Sequence, residues 1–150
     1  KKLTVEQNIS SLLELLGVDR ATRKNRTNEL LEEFNITHIR KSRAGGLSGG
    51  ERRRLEIARC LVSNPKIVML DEPFAGIDPL AVGDLKKLIV KLSNAGVGIL
   101  ITDHNVRETL LITHKSYVLS EGKILAYGTS NELAENTVVK KYYLGDNFQL

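Results

Sequence analysis

The apolar residues near the start of the chain repeat with the period of an α-helix. Five of them lie on one helical face over residues 4–16: Val5, Ile9, Leu12, Leu13 and Leu16. Thr4 and Gln7 have the spacing of a capping box, and Gly17 stands where a helix commonly ends. A second helix is predicted over residues 22–34, with Leu30, Leu31 and Phe34 facing inward, and an irregular polar stretch follows over residues 35–46.

Two short, continuous apolar runs in the middle of the chain have a different pattern. Ile67–Leu70 follows Asn-Pro, and Ile99–Thr102 follows two glycines. Runs of this kind are typical of strands that are buried on both faces of a parallel sheet. The segment between them has the apolar spacing of a helix, at Val82, Leu85, Leu88, Ile89 and Leu92. The order strand, helix, strand predicts a βαβ unit.

The last third of the chain is predicted to form a hairpin and a closing helix. Residues 117–119 and 123–126 are short strand patterns separated by Glu-Gly. Thr129 and Glu132 are spaced as another capping box, so a final helix is expected to run toward Tyr143. The tail over residues 140–150 holds three of the seven aromatic residues and is expected to be packed rather than loose.

Length and composition are typical of one globular domain. The chain has 150 residues, of which 41% are hydrophobic and 27% charged, with no apolar run of about 18 residues that could span a bilayer. Its first residues have no apolar signal-peptide core. The single cysteine, Cys60, is expected to be a buried residue on a helix, and a cytoplasmic location follows as the default.

Positive charge is concentrated in one part of the chain. Ten Lys or Arg residues and four Glu lie between Arg20 and Arg54, a net of +6 in a chain of net +4. Such a stretch can contact nucleic acid or anionic headgroups, or it can be a solvated helical face. Phe34 is the one aromatic residue among these charges, and single-stranded nucleic acid is usually bound by stacking its bases on several aromatic side chains. No specific binding of nucleic acid is therefore expected.

The first motif with chemical content is Leu47-Ser48-Gly49-Gly50-Glu51, at the entrance of a helix predicted over residues 52–62. Adjacent glycines allow close approach of a backbone to a ligand, and a helix N-terminus favours a phosphate. Ser48 and Glu51 also have the spacing of a simple capping box. From these residues alone, both interpretations stay open.

A pair of acids follows the first predicted strand. Asp71 and Glu72 come directly after residues 67–70, so both are expected at the carboxyl edge of the sheet, where α/β folds bind ligands. The first acid can hold Mg²⁺ through water, and the second can polarise an attacking water.

Two further motifs are weaker when each is taken alone. Residues 75–79 contain Asp78-Pro79, which by itself predicts only a helix N-cap followed by proline at the first helical position. His104 lies just past the second predicted strand, at the edge expected for Asp71 and Glu72, and could touch a phosphate there.

Together, in this order, the four motifs resemble those of the nucleotide-binding domains of ABC ATPases. In chain order they match the signature motif (Leu47–Glu51, with Glu51 where most members have Gln), the Walker B strand (Ile67–Asp71), the catalytic glutamate (Glu72), the D-loop (Ala75–Asp78) and the switch histidine (His104). The resemblance implies an α/β fold, the C-terminal part of a P-loop ATPase domain, with a helical subdomain followed by a mainly parallel sheet and flanking helices. The implied division is 1–46 for the helical subdomain, 47–129 for the partial ATPase core and 130–150 for the C-terminal helix and tail.

The resemblance also implies roles, cofactors and partners. Asp71 would hold Mg²⁺, while Glu72 and His104 would be catalytic. The residues implied to bind ATP are Ser48, Gly49, Gly50, Glu51 and Asp78. The implied assembly is a homodimer of ATPase subunits bound to transmembrane transporter subunits, peripheral on the cytoplasmic face of the inner membrane.

Within this family, the chain is similar to the ATPases of lipopolysaccharide-export transporters. The stretches that carry the similarity are residues 47–54, 71–79, 101–110 and 143–148. Branched-chain amino-acid importer ATPases share much of this pattern, and soluble ABC proteins that act on nucleic acid are a further alternative. The 150 residues contain no Gly-x-x-x-x-Gly-Lys-Ser/Thr phosphate loop, so a C-terminal fragment that is inactive alone is expected.

Overall fold

A computed structural model describes residues 2–144 and contains both helices and strands. In chain order these are α1 (Val5–Leu15), α2 (Arg20–Glu33), α3 (Gly49–Cys60), β1 (Ile67–Asp71), α4 (Pro79–Asn94), β2 (Gly98–Thr102), α5 (Val106–Leu110), β3 (Ser116–Ser120), β4 (Lys123–Gly128), α6 (Ser130–Glu135), α7 (Thr137–Val139) and a π-helical turn (Lys140–Leu144). The chain divides into two compact units. Unit 1 is residues 1–70 with 76–100, and unit 2 is residues 71–75 with 101–150.

The helices at the start of unit 1 follow the predicted apolar faces except at Leu16, which is the C-cap of α1 and is 57% exposed. Thr4 caps α1 as expected, because its hydroxyl accepts from Gln7 N at 3.2 Å and its N–H donates to Gln7 Oε1 at 2.9 Å. The second helix begins two residues earlier than predicted, since the Asp19 carboxylate accepts from two N–H groups of its first turn. The predicted inward residues of α2 are almost fully buried: Leu30, Leu31 and Phe34.

The stretch over residues 35–46 contains more order than its polarity suggested. Two 3-10 turns, Thr37–Ile39 and Ala44–Gly46, fall within it, and Ile36 is fully buried. Arg40 fastens the stretch to α1 through two hydrogen bonds to the Glu6 carboxylate, at 3.0 and 3.2 Å. This stretch leads directly into the first glycine motif, so these bonds help to position that motif.

Strands β1 and β2 pair as the two predicted strands of a βαβ unit. Gly98 N donates to Lys66 O at 2.8 Å and Glu72 N donates to Thr102 O at 2.7 Å, so the strands run in the same direction. The prediction that both are buried on two faces is wrong for the described residues. Val68 and Leu70 are buried in β1, whereas Met69, on the opposite face, is 73% exposed.

In unit 2, β3 and β4 form the predicted antiparallel hairpin, with Tyr117 opposite Tyr127. One hydrophobic cluster of unit 2 consists of four buried apolar residues: Leu110, Val118, Leu133 and Val139. The Thr129–Glu132 capping box is present at the start of α6, as predicted. The prediction of a single closing helix is wrong. The backbone is extended at Asn136, which ends α6, and the side chain of Asn136 then caps α7.

Three predictions about single features have three different outcomes. Cys60 ends α3 but is exposed, because it lies about 200° around the helix from the buried Ala58. Among residues 2–144, no helix is both long and apolar enough to cross a bilayer. The prediction of a packed tail can be examined only to residue 144, because residues 145–150 lie outside the described residues. The side chains of Tyr142 and Tyr143 are not buried, at 65% and 41% exposed. In the described part, Tyr143 donates to Leu119 O at 2.6 Å.

Candidate functional site

The carboxyl ends of β1 and β2 bring Asp71 and Thr102 together in unit 2. Each is the last residue of its strand, and the Thr102 hydroxyl donates a hydrogen bond to Asp71 Oδ1. Parallel strands end at the same edge, which is why two residues distant in sequence meet here. Asp71 is exposed, so its carboxylate remains open to a ligand on the solvent side.

Glu72 follows Asp71 in an unusual backbone conformation. Its φ is 45°, in the left-handed region that residues other than glycine rarely adopt. Such a conformation costs about 1–3 kcal/mol and persists only when the surrounding structure holds it. The Glu72 N–H is fixed to Thr102 O at 2.7 Å, and its side chain remains 57% exposed. An exposed carboxylate on a strained backbone is a feature that clusters at functional sites.

His104 lies beside Glu72, as the sequence suggested for the same edge of the sheet. Its Nδ1 is 3.6 Å from Glu72 Oε1 and 3.8 Å from Asp103 Oδ1. Both distances exceed a hydrogen bond, so the interaction is electrostatic and strongest when the imidazole is charged. The side chain of His104 is 72% exposed, so a ligand can reach the imidazole.

Asp103 is a site residue to which the sequence motifs assigned no role. Its side chain is fully buried, Oδ2 accepts from Phe74 N at 3.0 Å, and Oδ1 accepts from Asn105 N at 2.8 Å. The bond to Asn105 is a local Asx pattern that the sequence could have suggested. The bond to Phe74 joins residues 29 positions apart and has no local signal.

The Leu47–Glu51 motif lies in unit 1, and its serine caps α3. The helix therefore begins at Gly49, not at the predicted Arg52, and ends at Cys60, before the predicted Val62. Glu51 Oε2 accepts from Ser48 N at 2.9 Å and lies 2.8 Å from its hydroxyl, which completes a capping box. These bonds from Ser48 lower the pKa of Glu51, with smaller contributions from His38 and Arg54.

The capping box does not remove the phosphate-binding interpretation. The first N–H groups of any α-helix have no partner within the helix, and the helix dipole favours an anion beside them. Ser48 Oγ takes the N–H of Glu51 at 3.4 Å, the third residue of the helix. The two interpretations of Ser48–Glu51 are therefore compatible.

The two glycines of this motif lie against residues 76–81. A Cβ added to Gly49 would be 2.9 Å from Ile77 Cγ2, and one added to Gly50 would be 2.8 Å from Ala81 Cβ. Any side chain at either position would force the start of α3 away from this segment. The glycines thus have a packing reason of their own, in addition to any ligand.

Asp78 is the N-cap of α4, with Pro79 at the first helical position as predicted. Its Oδ1 accepts from Ala81 N at 2.9 Å.

One contact near the glycine motif was not predicted: His38 Nε2 lies 3.8 Å from Glu51 Oε1. It comes from the folded 35–46 stretch, which carried no clear pattern.

The described residues contain no cluster of the side chains that most often hold a metal ion. No group of three His, Cys, Asp or Glu is placed there to hold a metal ion. Mg²⁺ does not need one, because it is commonly bound by one or two carboxylates together with waters and substrate phosphates. The exposed carboxylate of Asp71 fits that mode of binding.

Comparison with known sequences places these features in a family context. The sequence model for ABC transporters matches residues 1–75. The lipopolysaccharide export system ATP-binding protein LptB of Haemophilus influenzae is 50% identical over 151 residues, covering 100% of this chain and 63% of that protein. An uncharacterized ABC transporter ATP-binding protein of Rhizobium meliloti is 51% identical over 148 residues, 99% of this chain and 55% of its own length.

Solved structures give the same result for the fold. CbiO1 of Clostridium perfringens, part of the ABC transporter complex CbiONQ, has a TM-score of 0.84 at 30% identity, covering 94% of this chain and 57% of that one. The ADP conformation of MJ1267, an ATP-binding cassette of an ABC transporter, has a TM-score of 0.79 at 26% identity, covering 97% of this chain and 64% of that one. The chain therefore spans less than two thirds of the length of these relatives.

Proposed function

The chain belongs to the ABC transporter family, and from that premise we propose that it is part of a subunit that binds and hydrolyses ATP to drive lipopolysaccharide export. The observation that carries the ATPase part is the geometry at Glu72. Its exposed carboxylate follows β1, a strand that is buried on one face, and stands on a left-handed backbone with His104 at 3.6 Å. Strain of this kind is stored where a reaction needs a group in a fixed position.

The residues of unit 2 would carry the chemistry. Glu72 would orient the attacking water and accept its proton. His104 would contact the γ-phosphate through Nε2, because Nδ1 faces the two carboxylates. Asp71 would hold Mg²⁺, which when bound neutralises charge on the transferring phosphate.

The residues of unit 1 would bind nucleotide. Ser48, Gly49 and Gly50 stand at the N-terminus of a 12-residue helix, a position that suits a phosphate. By analogy with the family, they would contact ATP held by a second subunit, so the working form would be a homodimer. Glu51 and Asp78 would shape the same surface through the caps that they complete.

The cargo, the partners and the location are proposed from the relatives. LptB of Haemophilus influenzae is named for lipopolysaccharide export, and the similarity covers this whole chain. The proposed partners are transmembrane subunits, and the proposed location is the cytoplasmic face of the inner membrane. Specific binding of nucleic acid is not part of the proposal, and the domain bounds at 46/47 and 129/130 stay predictions.

The test of the ATPase proposal is Glu72→Gln in the complete protein. The amide keeps the shape of the carboxylate but cannot accept a proton, so kcat should fall by about 100-fold or more while ATP binding persists. Phosphate release measures turnover, and titration calorimetry measures binding.

Glu121→Gln is the matched control for this substitution. Glu121 is also exposed and left-handed, with φ of 48°, but it lies in the turn between β3 and β4. Turnover in this variant should equal that of the wild type. Near-normal hydrolysis in Glu72→Gln, or an equal loss in Glu121→Gln, would reject the role assigned to Glu72.

A second experiment tests the cargo. The complete subunit would be reconstituted with its transmembrane partners in proteoliposomes that contain lipopolysaccharide. ATP-dependent release of lipopolysaccharide to an acceptor supports export, whereas ATP-dependent uptake of leucine without such release would favour the importer alternative.

A further inference from the structure

Unit 2 contains a fully buried carboxylate to which the proposed function gives no task. Asp103 lies between Thr102, the last residue of β2, and His104, and its side chain has no exposed surface. A buried carboxylate needs hydrogen-bond donors to offset the loss of water. Here the donors are two backbone N–H groups, those of Phe74 at 3.0 Å and Asn105 at 2.8 Å.

The positions of these two donors are informative. Phe74 is two residues after Glu72, and Asn105 is the residue after His104. One carboxylate therefore ties together the loop that carries the proposed base and the loop that carries the proposed phosphate contact. A simple Asx turn would explain the bond to Asn105 but not the bond across 29 residues to Phe74.

The Glu72 loop is held on both sides. On the N-terminal side, the N–H of Glu72 itself donates to Thr102 O at 2.7 Å. On the C-terminal side, the N–H of Phe74 donates to Asp103 Oδ2. Between these two bonds lies the left-handed backbone of Glu72. A strained conformation relaxes when one of its restraints is removed.

We propose that Asp103 is a positioning residue, whose buried carboxylate holds Glu72 in its left-handed conformation and within 3.6 Å of His104. This inference rests on the proposed ATPase function. Asp103 does not touch substrate, so its effect on turnover passes through Glu72. The proposal predicts a loss of kcat without a loss of ATP affinity.

The test is Asp103→Asn in the complete protein, compared with Asp19→Asn. The asparagine oxygen can accept one N–H, but its NH₂ group then faces the other donor, so one anchor is lost. We expect kcat to fall about 10–100-fold with KM for ATP within about twofold. Asp19 also accepts from two backbone N–H groups, at 2.9 and 3.1 Å, but at the exposed start of α2, so its variant should keep the wild-type kcat.

A double variant separates positioning from a general loss of folded protein. If Asp103 acts through Glu72, adding Asp103→Asn to Glu72→Gln should lower the residual turnover no further. An additional tenfold loss in that background would overturn the proposal. The hydrolysis rate is divided by the concentration of ATP-binding sites, which a stoichiometric titration measures. A smaller folded fraction of the variant therefore does not change the rate per site.

Two further results keep the outcome decisive. If Asp103→Asn yields no folded protein, Asp103→Glu replaces it, because the longer side chain keeps the charge but displaces the carboxylate. A wild-type kcat in either folded variant would overturn the proposal. A near-normal Glu72→Gln would instead reject the proposed function itself, so the two failures are distinguishable.

Discussion

Unit 1 contains the residues proposed to bind nucleotide and unit 2 those proposed to carry the chemistry, and the local structures of these two sets differ in kind. In unit 1, Ser48 and Asp78 are well-formed helix caps, and Asp78 accepts from Ala81 N at 2.9 Å. In unit 2, Glu72 has a strained φ of 45°, and its loop is anchored by the buried Asp103. Ser48 and Asp78 therefore follow the usual preferences for helix caps, whereas Glu72 departs from the usual preference of residues other than glycine for a negative φ.

The difference determines what a substitution can reveal. A residue that satisfies a local rule contributes to stability whether or not it also binds a ligand. A residue that violates one has another cause for its conformation. For Glu121, with φ of 48°, the cause is the turn between β3 and β4, and for Glu72 it is the proposed function. Variants in unit 1 should therefore change stability and nucleotide contact together, while variants at Glu72 should change turnover with little effect on folding.

The largest effect on stability is expected from Gly50→Ala. The added Cβ would lie 2.8 Å from Ala81 Cβ, too close for two carbons, so α3 and the start of α4 would have to separate. We expect the free energy of unfolding to fall by about 1–3 kcal/mol, measured by urea denaturation of the complete protein.

Gly83→Ala is the control for this prediction. Gly83 lies inside α4, and a Cβ added there would meet no heavy atom within 4 Å, so alanine should stabilise that helix by up to about 1 kcal/mol. Equal, small effects of the two substitutions would mean that Gly50 serves only the ligand. The contrast drawn between the units would then be wrong.

Features with local signals were predicted well from the sequence. The capping boxes at Thr4 and Thr129 and the Asp78-Pro79 start of α4 depend on residues within one helical turn. The strands and the hairpin followed from short apolar runs and a Glu-Gly turn. The order of the four motifs was sufficient to identify the family, although none of them is specific when taken alone.

Features that depend on distant partners were not predicted. The conformation of Glu72 follows from bonds made by Thr102 and Asp103, which lie about 30 positions away. Burial on both faces of β1 was expected from its continuous apolar run, but a run records only hydrophobicity, not what covers it. The break at Asn136 does have a local signal, because an asparagine side chain competes for backbone N–H groups.

A smaller effect is expected when two similar caps are removed, one in each unit. Ser48→Ala and Thr129→Ala each delete a capping box, and each should lower the free energy of unfolding by about 1 kcal/mol. Only Ser48→Ala should also raise the KM for ATP, by about tenfold. In the proposed complex the Ser48 hydroxyl exchanges its bond to Glu51 Oε2 for one to the nucleotide, and alanine removes that bond. Urea denaturation and steady-state kinetics measure the two effects. An equal rise of KM in Thr129→Ala would show that the loss of the cap, not of a ligand contact, is responsible.

An effect of similar size, but one that depends on pH, is expected from the ion pair that fastens the stretch before Ser48. Hydrogen bonds from Arg40, and then from Lys41, hold the pKa of Glu6 at about 2, well below its usual range. Because the folded-state pKa is depressed, the pair stabilises the fold above about pH 4.5, and that contribution is lost as the pH falls toward 2. Arg40→Met should therefore cost about 1 kcal/mol at pH 7, since the pair is partly exposed, and progressively less in acid. Urea denaturation at pH 7, 4 and 3 measures the change.

Arg26→Met is the matched control, because Arg26 pairs with Glu29 at 3.0 Å on the surface of α2, where such pairs contribute only about 0.2–0.5 kcal/mol. If both variants cost the same, or if the cost of Arg40→Met stays constant down to pH 3, this ion pair does not anchor unit 1 in the way its geometry indicates.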